Sequence, residues 1–589
     1  MTNSEIANLL RNVAAAYTIK DEKKFHFQIV AYEKASDAIA KLTTEVSDLY
    51  KENKLNTIPG IGPTLQSHLE ELMQQGKVKH FNEVLKGIPE SVFPLLAIPS
   101  FGPKKGYKLV TSFHLKNPQT VIADVVKHAE KGDIAKLPTF GEKSQSDILR
   151  AVGEFHKGAG KTTRMLLPFA LEVAEKMATY LRTTPAVVKA EPLGSLRRRR
   201  PTVGDIDIAV ASDKPHEVIE HFASYPYKKR VIEKGPATSS ILTNGGQQID
   251  LMVQPVESFG SLLQHFTGSK NHNIHLRDYA LKKGLSLSEY GIKNLKSKEG
   301  VRKHFATEQA FYQALGMDWI PPELREDTGE IEAAINHKLP HLIEAADIKG
   351  DLHTHSSYPI EPSHDMGINT MQEHIDAAHK LHYEYIGFSE HNPSISKHTK
   401  DQIYTILAKR QEYIEQLKLK NKSVRIINLL EIDILPNGNL AIDEKGLSYL
   451  DAAIVSIHSV FNMNEEQMTK RVLQGLSHPK AKILAHPTGR MLNERSGYSL
   501  DFERIFTFCK EHHKAMEINA WPERSDLPDT LIRQAIDAGV TMVIDTDSHA
   551  VTHMEVMMSG VFQARRGWAE KRDIINTKEY NQFINWLET

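Results

Sequence analysis

Gly204-Asp205-Ile206-Asp207 leads into an apolar run that continues to Ala211. Alternate side chains of an extended chain share a face, so a strand here aims both carboxylates the same way. Asp250, in Gln248-Ile249-Asp250-Leu251-Met252, can meet them from a neighbouring strand. Three converging carboxylates are what two Mg²⁺ ions need from a protein that leaves the other coordination positions to water and phosphate. Taken alone, an Asp-x-Asp pair on a strand is more often a solvated edge. Its surroundings argue otherwise. Just upstream, Gly194-Ser195-Leu196-Arg197-Arg198 offers a Gly-Ser turn and two guanidiniums, which suit a triphosphate tail, although the run Arg197 to Arg200 also reads as a solvated basic face.

Working outward, strands and helices mix from about Lys161 to Ile320, which indicates an α+β unit, and Trp319-Ile320-Pro321-Pro322-Glu323-Leu324 then halts regular structure as a linker. Upstream, as far as about Gly153, short amphipathic helices are broken by turns, and this part is expected to be all-α. Within it Ile58-Pro59-Gly60-Ile61-Gly62-Pro63, Ile98-Pro99-Ser100-Phe101-Gly102-Pro103 and Leu137-Pro138-Thr139-Phe140-Gly141-Glu142 each precede a helical run. Such a turn presents backbone N–H groups at a helix N-terminus, where a phosphate is held favourably. Lys104, Lys105 and Lys108 add positive charge beside the second copy. One copy reads equally well as a tight αα-hairpin, but the repetition favours helix-hairpin-helix modules that grip DNA backbone through Gly60, Gly62, Gly102 and Lys104. Gly158-Ala159-Gly160-Lys161-Thr162 imitates a P-loop, but that motif needs glycine where Phe155 stands and a strand before it, so a Walker-type NTPase is rejected.

Downstream of the linker, seven strand-like segments lie around Lys349 to Leu352, Tyr385 to Phe388, Ile426 to Leu430, Ala452 to Ile457, Ile483 to Ala485, Ala515 to Ile518 and Thr541 to Ile544. Helix-like stretches separate most of them, which argues for a parallel β/α barrel. Metal-binding side chains gather where these strands end: His353 and His355, then His391, Glu431, His458, His486, and finally Asp547 with His549. Any one of these histidines alone reads better as a packing or surface residue. Eight ligand-type side chains at successive strand ends do not, because β/α barrels build their active sites on that rim. Mixed nitrogen and oxygen donors suit Zn²⁺, Mn²⁺ or Fe²⁺ better than Mg²⁺, and a cluster of such ions could direct a water at phosphorus.

Composition limits the alternatives. The 589 residues exceed one core and suggest three or four compact units. With 73 Lys plus Arg against 74 Asp plus Glu the net charge is −1, so any nucleic-acid grip must come from local patches. The single cysteine excludes a disulfide-stapled scaffold, and nothing resembles an export signal or an apolar span long enough for a bilayer. A cytoplasmic protein without membrane association, acting as a monomer, is the expectation.

The palm-like motifs together with Phe266-Thr267-Gly268-Ser269 resemble the nucleotidyltransferase core of family X DNA polymerases, in order and spacing as well as letters. The resemblance implies that Asp205 and Asp207 bind two Mg²⁺ or Mn²⁺ ions, and that Asp250 binds the catalytic one and activates the primer 3′ hydroxyl. It places Ser195, Arg198 and Gly204 at the β and γ phosphates, Phe266 and Gly268 at the sugar, Asn273 at the incoming base and Arg277 at the template strand. Some positions depart from the pattern. His265 replaces the usual aromatic before Phe266, and Gln248 and Met252 stand where basic residues often flank the third aspartate. Ala31-Tyr32-Glu33-Lys34-Ala35 and the first hairpin are similar to the family's lyase domain, but its Schiff-base lysine is His68 here, and an imidazole cannot form that imine. Lys34 and Lys77 stand as candidates for a 5′ phosphate or as ordinary surface lysines.

The C-terminal segment is similar to the PHP (polymerase and histidinol phosphatase) domain, a distorted seven-stranded barrel with up to three metal ions. That family commonly supplies a ninth ligand shortly after the HxH motif; Asp365 is favoured here, with His364 and Glu361 as rivals. Arg490 is a candidate for substrate phosphate or for pairing with a surface acid. The linker also looks like that of bacterial family X polymerases. The expected architecture is therefore multidomain: residues 1–80 helical and lyase-like, 81–155 helix-hairpin-helix, 156–258 an α+β nucleotidyltransferase palm, 259–320 the thumb, 321–345 a linker, and 346–589 a distorted (β/α)7 PHP barrel. The implied function is gap filling on gapped or primer-template DNA from deoxynucleoside triphosphates, with 3′-end trimming by the PHP domain. The competing reading keeps the PHP domain as the sole enzyme and leaves residues 1 to about 320 as a DNA-gripping module.

Overall fold

The computed structural model describes residues 1, 3–40, 46–51, 53–58, 60–96, 98, 101–142, 144–149, 152, 164–296 and 301–589. Pro59, Pro99, Ser100, Gly153, Phe155 and the P-loop-like stretch 158–162 lie outside the described residues. Two helical cores come first. Helices Asn3–Asp21, His26–Ala40 and Pro63–Gln75 bury Leu10, Tyr32 and Leu69 together, and helices Pro103–Ser112 and Val121–Glu130 bury Leu109 and Val125. The three glycine turns are built alike. The carbonyls of Gly62, Gly102 and Gly141 accept from the amides of Gln66 (2.9 Å), Gly106 (3.0 Å) and Gln145 (3.0 Å). Pro63 and Pro103 open their helices, where a missing N–H costs nothing.

Five strands form the next sheet: β1 (Lys189–Pro192), β2 (Ile206–Ala211), β3 (Lys228–Lys234), β4 (Thr238–Thr243) and β5 (Gln248–Gln254). Their order is β1-β2-β5-β4-β3, and only β2 and β5 run parallel. Alternation decides the faces. Ile206, Ile208 and Val210 join Ile249, Leu251 and Val253 in one core with helix Leu167–Leu181, each fully buried aliphatic contributing about 1.5–3 kcal/mol. The intervening residues Ala209 and Ala211 meet helix Phe259–Thr267 on the other face, which is the face that Asp207 and Asp250 share. A further core around Phe311, Tyr312 and Leu315 backs the three-stranded sheet of Leu285–Ser288, Gly291–Asn294 and Arg302–Lys303.

The C-terminal segment holds eight strands: β6 (Gly350–Thr354), β7 (Tyr385–Phe388), β8 (Arg425–Asn428), β9 (Glu431–Asp433), β10 (Ala453–Ser456), β11 (Ala481–Leu484), β12 (Ala515–Asn519) and β13 (Thr541–Asp545). They form two parallel sheets, β6-β7-β8 and β9 through β13 in order. The expected third segment, Ile426 to Leu430, holds one strand, β8, and a second, β9, starts at Glu431, where the third was expected to end. β8 pairs with β7, and after Leu429-Leu430 the chain changes partners and β9 pairs with β10. The sheets meet through two bridges, Thr354 of β6 with Ser548 after β13, and His391 after the central strand β7 with Glu431 of β9, which closes a distorted barrel. Neighbouring residues alternate between cores: Ile426, Val455 and Met542 pack with the surrounding helices, while Ile427, Ile454 and Val543 pack with Phe583 of the last helix. No helix among the described residues is long and apolar enough to cross a membrane.

Candidate active sites

The parallel pairing of β2 and β5 puts Asp207 directly beside Asp250. Carboxylate oxygens of Asp205, Asp207 and Asp250 all lie within 4.8 Å of one another. Burial, and then the charges of Asp205 and Asp250, push the Asp207 carboxyl up to about 7. Such crowding of like charge is what divalent cations relieve, so the donor set fits the ions that the sequence implies. Gln248 Nε2 donates to both oxygens of Asp250, at 3.0 and 3.1 Å, so the amide that replaces a basic residue orients this acid.

The turn before β2 is tied down on several sides. Gly194 adopts φ +56°, and a Cβ there would stand 2.8 Å from Asp207 Oδ2. Arg197 forks onto Glu308 (2.9 and 2.7 Å) and reaches Thr267 Oγ1 (2.7 Å), while Arg325 donates to the same Glu308 Oε1 that Arg197 Nη1 bonds. Burial alone would raise Glu308, but Arg325 and Arg197 more than offset it and leave the carboxyl at about 2. Arg197 is thus a part-buried structural partner rather than a solvated base. Arg198 donates to Glu326 Oε1 (2.9 Å) and to the Thr267 carbonyl (2.7 Å). The half-buried Ser195 begins the same turn, and Gly204 opposes Arg164, whose Nη1 would lie 3.3 Å from a Cβ there.

Phe266 and Gly268 close helix Phe259–Thr267 beside this turn. A Cβ on Gly268 would meet Asn273 Oδ1 at 2.7 Å, so the close approach of helix Lys270–Lys282 requires glycine. Asn273 Nδ2 donates to the His265 carbonyl (2.8 Å), Gln264 Nε2 donates to Asn273 Oδ1 (3.3 Å), and the His265 ring stands edge-on to Phe266 at 4.8 Å. Arg277 is exposed, with Nε on the Asn273 carbonyl at 3.0 Å.

In the helical region Gly60, Gly62 and Gly102 have open space where a Cβ would stand. Lys104 pairs with Glu22 at 2.7 Å in the open, a contact worth little that an anion can displace. Lys105 lies over Phe101 and Lys108 donates to Thr139 Oγ1, so both serve local packing. Lys34 and Lys77 are exposed. His68 is half-buried, with Nδ1 3.1 Å from the Tyr32 hydroxyl and its ring stacked on His80.

At the barrel rim Glu431 is the hub. Its Oε2 lies 2.9 Å from His391 Nδ1, 3.2 Å from His353 Nε2 and 3.6 Å from His355 Nε2, and its Oε1 lies 2.8 Å from His486 Nε2 and 3.2 Å from His458 Nε2. Asp547 Oδ1 stands 3.3 Å from His355 Nε2, with His549 stacked on the His355 ring. Among the described residues, His353 Nε2, both nitrogens of His355, His391 Nδ1, Glu431 Oε2 and His549 Nε2 are buried without a hydrogen-bond partner. Converging nitrogen and carboxylate donors, several of them left short of a hydrogen bond, fit metal ions between them. Burial pulls His391 down, but Glu431 and Asp365 outweigh it and hold it up to about 10; burial and Arg524 drop His486 to about 4.

Of the rivals for a ninth donor, Asp365 bridges His391 Nε2 (3.4 Å) and His549 Nε2 (3.3 Å). His364 instead lies 3.1 Å from Asp433, which also holds His458 Nδ1 at 2.7 Å, and Glu361 pairs with His398. Arg490 departs from both readings offered for it: its guanidinium donates to the Arg524 and Ser525 carbonyls. Arg524 and Arg495 line the cleft instead, a space of about 420 Å³ that Asp365, His391, His458, Asp547 and His549 also border.

Sequence reasoning missed the supports. Glu517 Oε1 lies 2.6 Å from His353 Nδ1, and Glu517 Oε2 accepts from the His486 amide at 2.6 Å. It belongs to the one strand to which no ligand had been assigned, and an acid within Ala-Met-Glu-Ile was the available signal. Asp433, Arg524, Glu308 and Glu326 act across long stretches of chain and carried no comparable signal.

A model of the DNA polymerase beta thumb matches residues 262–326, and one of a helix-hairpin-helix domain matches residues 1–78. The chain is 33% identical to the DNA polymerase/3′-5′ exonuclease PolX of Bacillus subtilis (strain 168), over 100% of both chains. DNA polymerase lambda of Rattus norvegicus is 23% identical over 55% of this chain and 56% of its own, and that of Arabidopsis thaliana 23% over 55% and 62%.

Proposed function

Because this chain belongs to the bacterial family X DNA polymerases with a C-terminal PHP domain, we propose that it fills short gaps in DNA during repair and trims 3′ ends at the barrel rim. The meeting of Asp205, Asp207 and Asp250 within 4.8 Å carries the assignment. The primer 3′ oxygen attacks the α-phosphorus in line, pyrophosphate leaves, and Asp250, held by Gln248, takes the hydroxyl proton. Ser195, Arg198 and the Gly204 backbone hold the β and γ phosphates; for this Arg198 exchanges Glu326 for phosphate. Phe266 and Gly268 bound the sugar, Asn273 meets the base and Arg277 the template strand. Gly60, Gly62, Gly102 and Lys104 hold backbone phosphates of gapped or primer-template DNA.

Asp205, Asp207 and Asp250 would hold two Mg²⁺ or Mn²⁺ ions and the rim up to three Zn²⁺, Mn²⁺ or Fe²⁺ ions, which when bound would supply charge neutralisation in transfer and activation of water in hydrolysis. The rim donors would be His353, His355, Asp365, His391, Glu431, His458, His486, Asp547 and His549. Glu517 fixes the His353 ring and Asp433 the His458 ring, and Arg524 at the cleft wall receives the scissile phosphate. Trimming a blocked 3′ end exposes the free 3′ hydroxyl that incorporation requires. Primer extension on gapped DNA tests the palm: incorporation that survives Asp205→Ala unchanged refutes it. Manganese-dependent 3′ excision tests the rim, and full excision by His353→Ala refutes that site.

A further inference from the structure

The turn Arg197–Arg200 is gripped from the barrel domain. Nη1 of Arg566 donates to the Arg198 carbonyl at 2.8 Å and to Glu326 Oε1 at 3.0 Å, the same oxygen that accepts from Arg198. Arg566 ends helix Met557–Arg566, its side chain is fully buried, and its Nη2 bonds Asp529. Arg200 lies 3.7 Å from Glu326 and 4.0 Å from Asp529. Arg199, at φ +56°, covers the ring of Phe562 on that helix at 4.6 Å, and Phe562 packs against the palm core.

The geometry points to Arg566 as a positioning residue for nucleotidyl transfer: it shares Glu326 with Arg198, so the carboxylate keeps a cation when Arg198 turns to an incoming triphosphate. This rests on the palm assignment above. A largely buried carboxylate stripped of its partner carries a heavy desolvation penalty. Without Arg566, Glu326 would keep only Arg198 and the more distant, more exposed Arg200 at 3.7 Å, and would resist the claim of the phosphates. With Arg566 in place, exchanging carboxylate for phosphate leaves neither charge bare. Arg566 also anchors the Arg198 backbone, so both effects act on nucleotide binding and neither touches the aspartates or the rim histidines.

Steady-state incorporation into gapped DNA by full-length Arg566→Gln tests this. The KM for nucleotide is expected to rise about tenfold, with kcat, DNA affinity and 3′ excision within about twofold of wild type. Arg566→Lys keeps a cation but cannot bond Glu326, Asp529 and the carbonyl together, so it is expected to raise KM less. In a Glu326→Gln background the effect of Arg566→Gln should shrink to about threefold, the part due to the lost bond to the Arg198 carbonyl, because the shared carboxylate is gone. An unchanged KM, an undiminished effect in that background, or a parallel fall of kcat and excision overturns the inference. Should Arg566→Gln not fold, Arg566→Lys and the doubly neutral protein decide by the same criteria. Asp205→Ala run alongside separates the failures: its retained incorporation would sink the palm assignment, whereas its inactivity beside unchanged KM in the Arg566 variants would sink only this inference.

Discussion

Gly194 and Asp207 interlock: a Cβ on Gly194 would stand 2.8 Å from Asp207 Oδ2. The glycine also occupies the left-handed region, at φ +56°. Gly194→Ala must therefore displace the turn or the carboxylate. A left-handed alanine costs about 1–2 kcal/mol, and a displacement near 1 Å at a reacting centre costs about a hundredfold in rate. Incorporation by this variant is expected to fall about 10- to 100-fold with 3′ excision intact, checked by both assays on one preparation.

Glu308 joins the turn to the thumb-side core through Arg197 and Arg325, and its carboxyl sits at about 2 against an ordinary 4.5. The folded carboxyl binds its proton less readily than the unfolded one, so acid favours unfolding. Its contribution, roughly 3 kcal/mol, is fully present above pH 4.5 and is lost as pH falls toward 2. Glu308→Gln should lower the urea midpoint at neutral pH and flatten its acid dependence below pH 4.5, measured by titration of both proteins.

Asp365 bridges His391 and His549, whereas His364 bonds Asp433. Asp365→Asn is therefore expected to lower bound metal by about one ion per chain, and His364→Asn to leave the content unchanged. Elemental analysis of the purified proteins checks this. Chelation of the wild type should lower its melting temperature by several degrees, and manganese should restore it.

His68 stacks on His80 and touches the Tyr32 hydroxyl where a nucleophilic amine would be needed. Borohydride reduction on abasic DNA should trap no adduct through this position in the wild type. His68→Lys should yield one, visible as a covalent complex on a denaturing gel.

Much of the chemistry was legible locally. Strand alternation sets the face of Asp207, with Asp205 in the bend just before β2, and the rim histidines lie at strand ends, because both depend on spacing along a few residues. The change of partner strand after Leu429-Leu430 was not legible, since an apolar run says nothing about which neighbour the chain on each side of it will pair with. The role of Arg490 misled for a similar reason: a nearby motif suggested phosphate, while Arg524, from a later loop, faces the cleft.

Local order along the chain determined which side chains could bind cations and phosphates, because strand period and helix start are properties of neighbouring residues. Strand period also set Gln248 beside Asp250, whereas tertiary structure alone decided that Glu517 steadies His353, and that Glu326 is shared between Arg198 and Arg566. For the last two pairs the partners lie far apart in sequence, and only burial in one low-dielectric space makes their pairing strong.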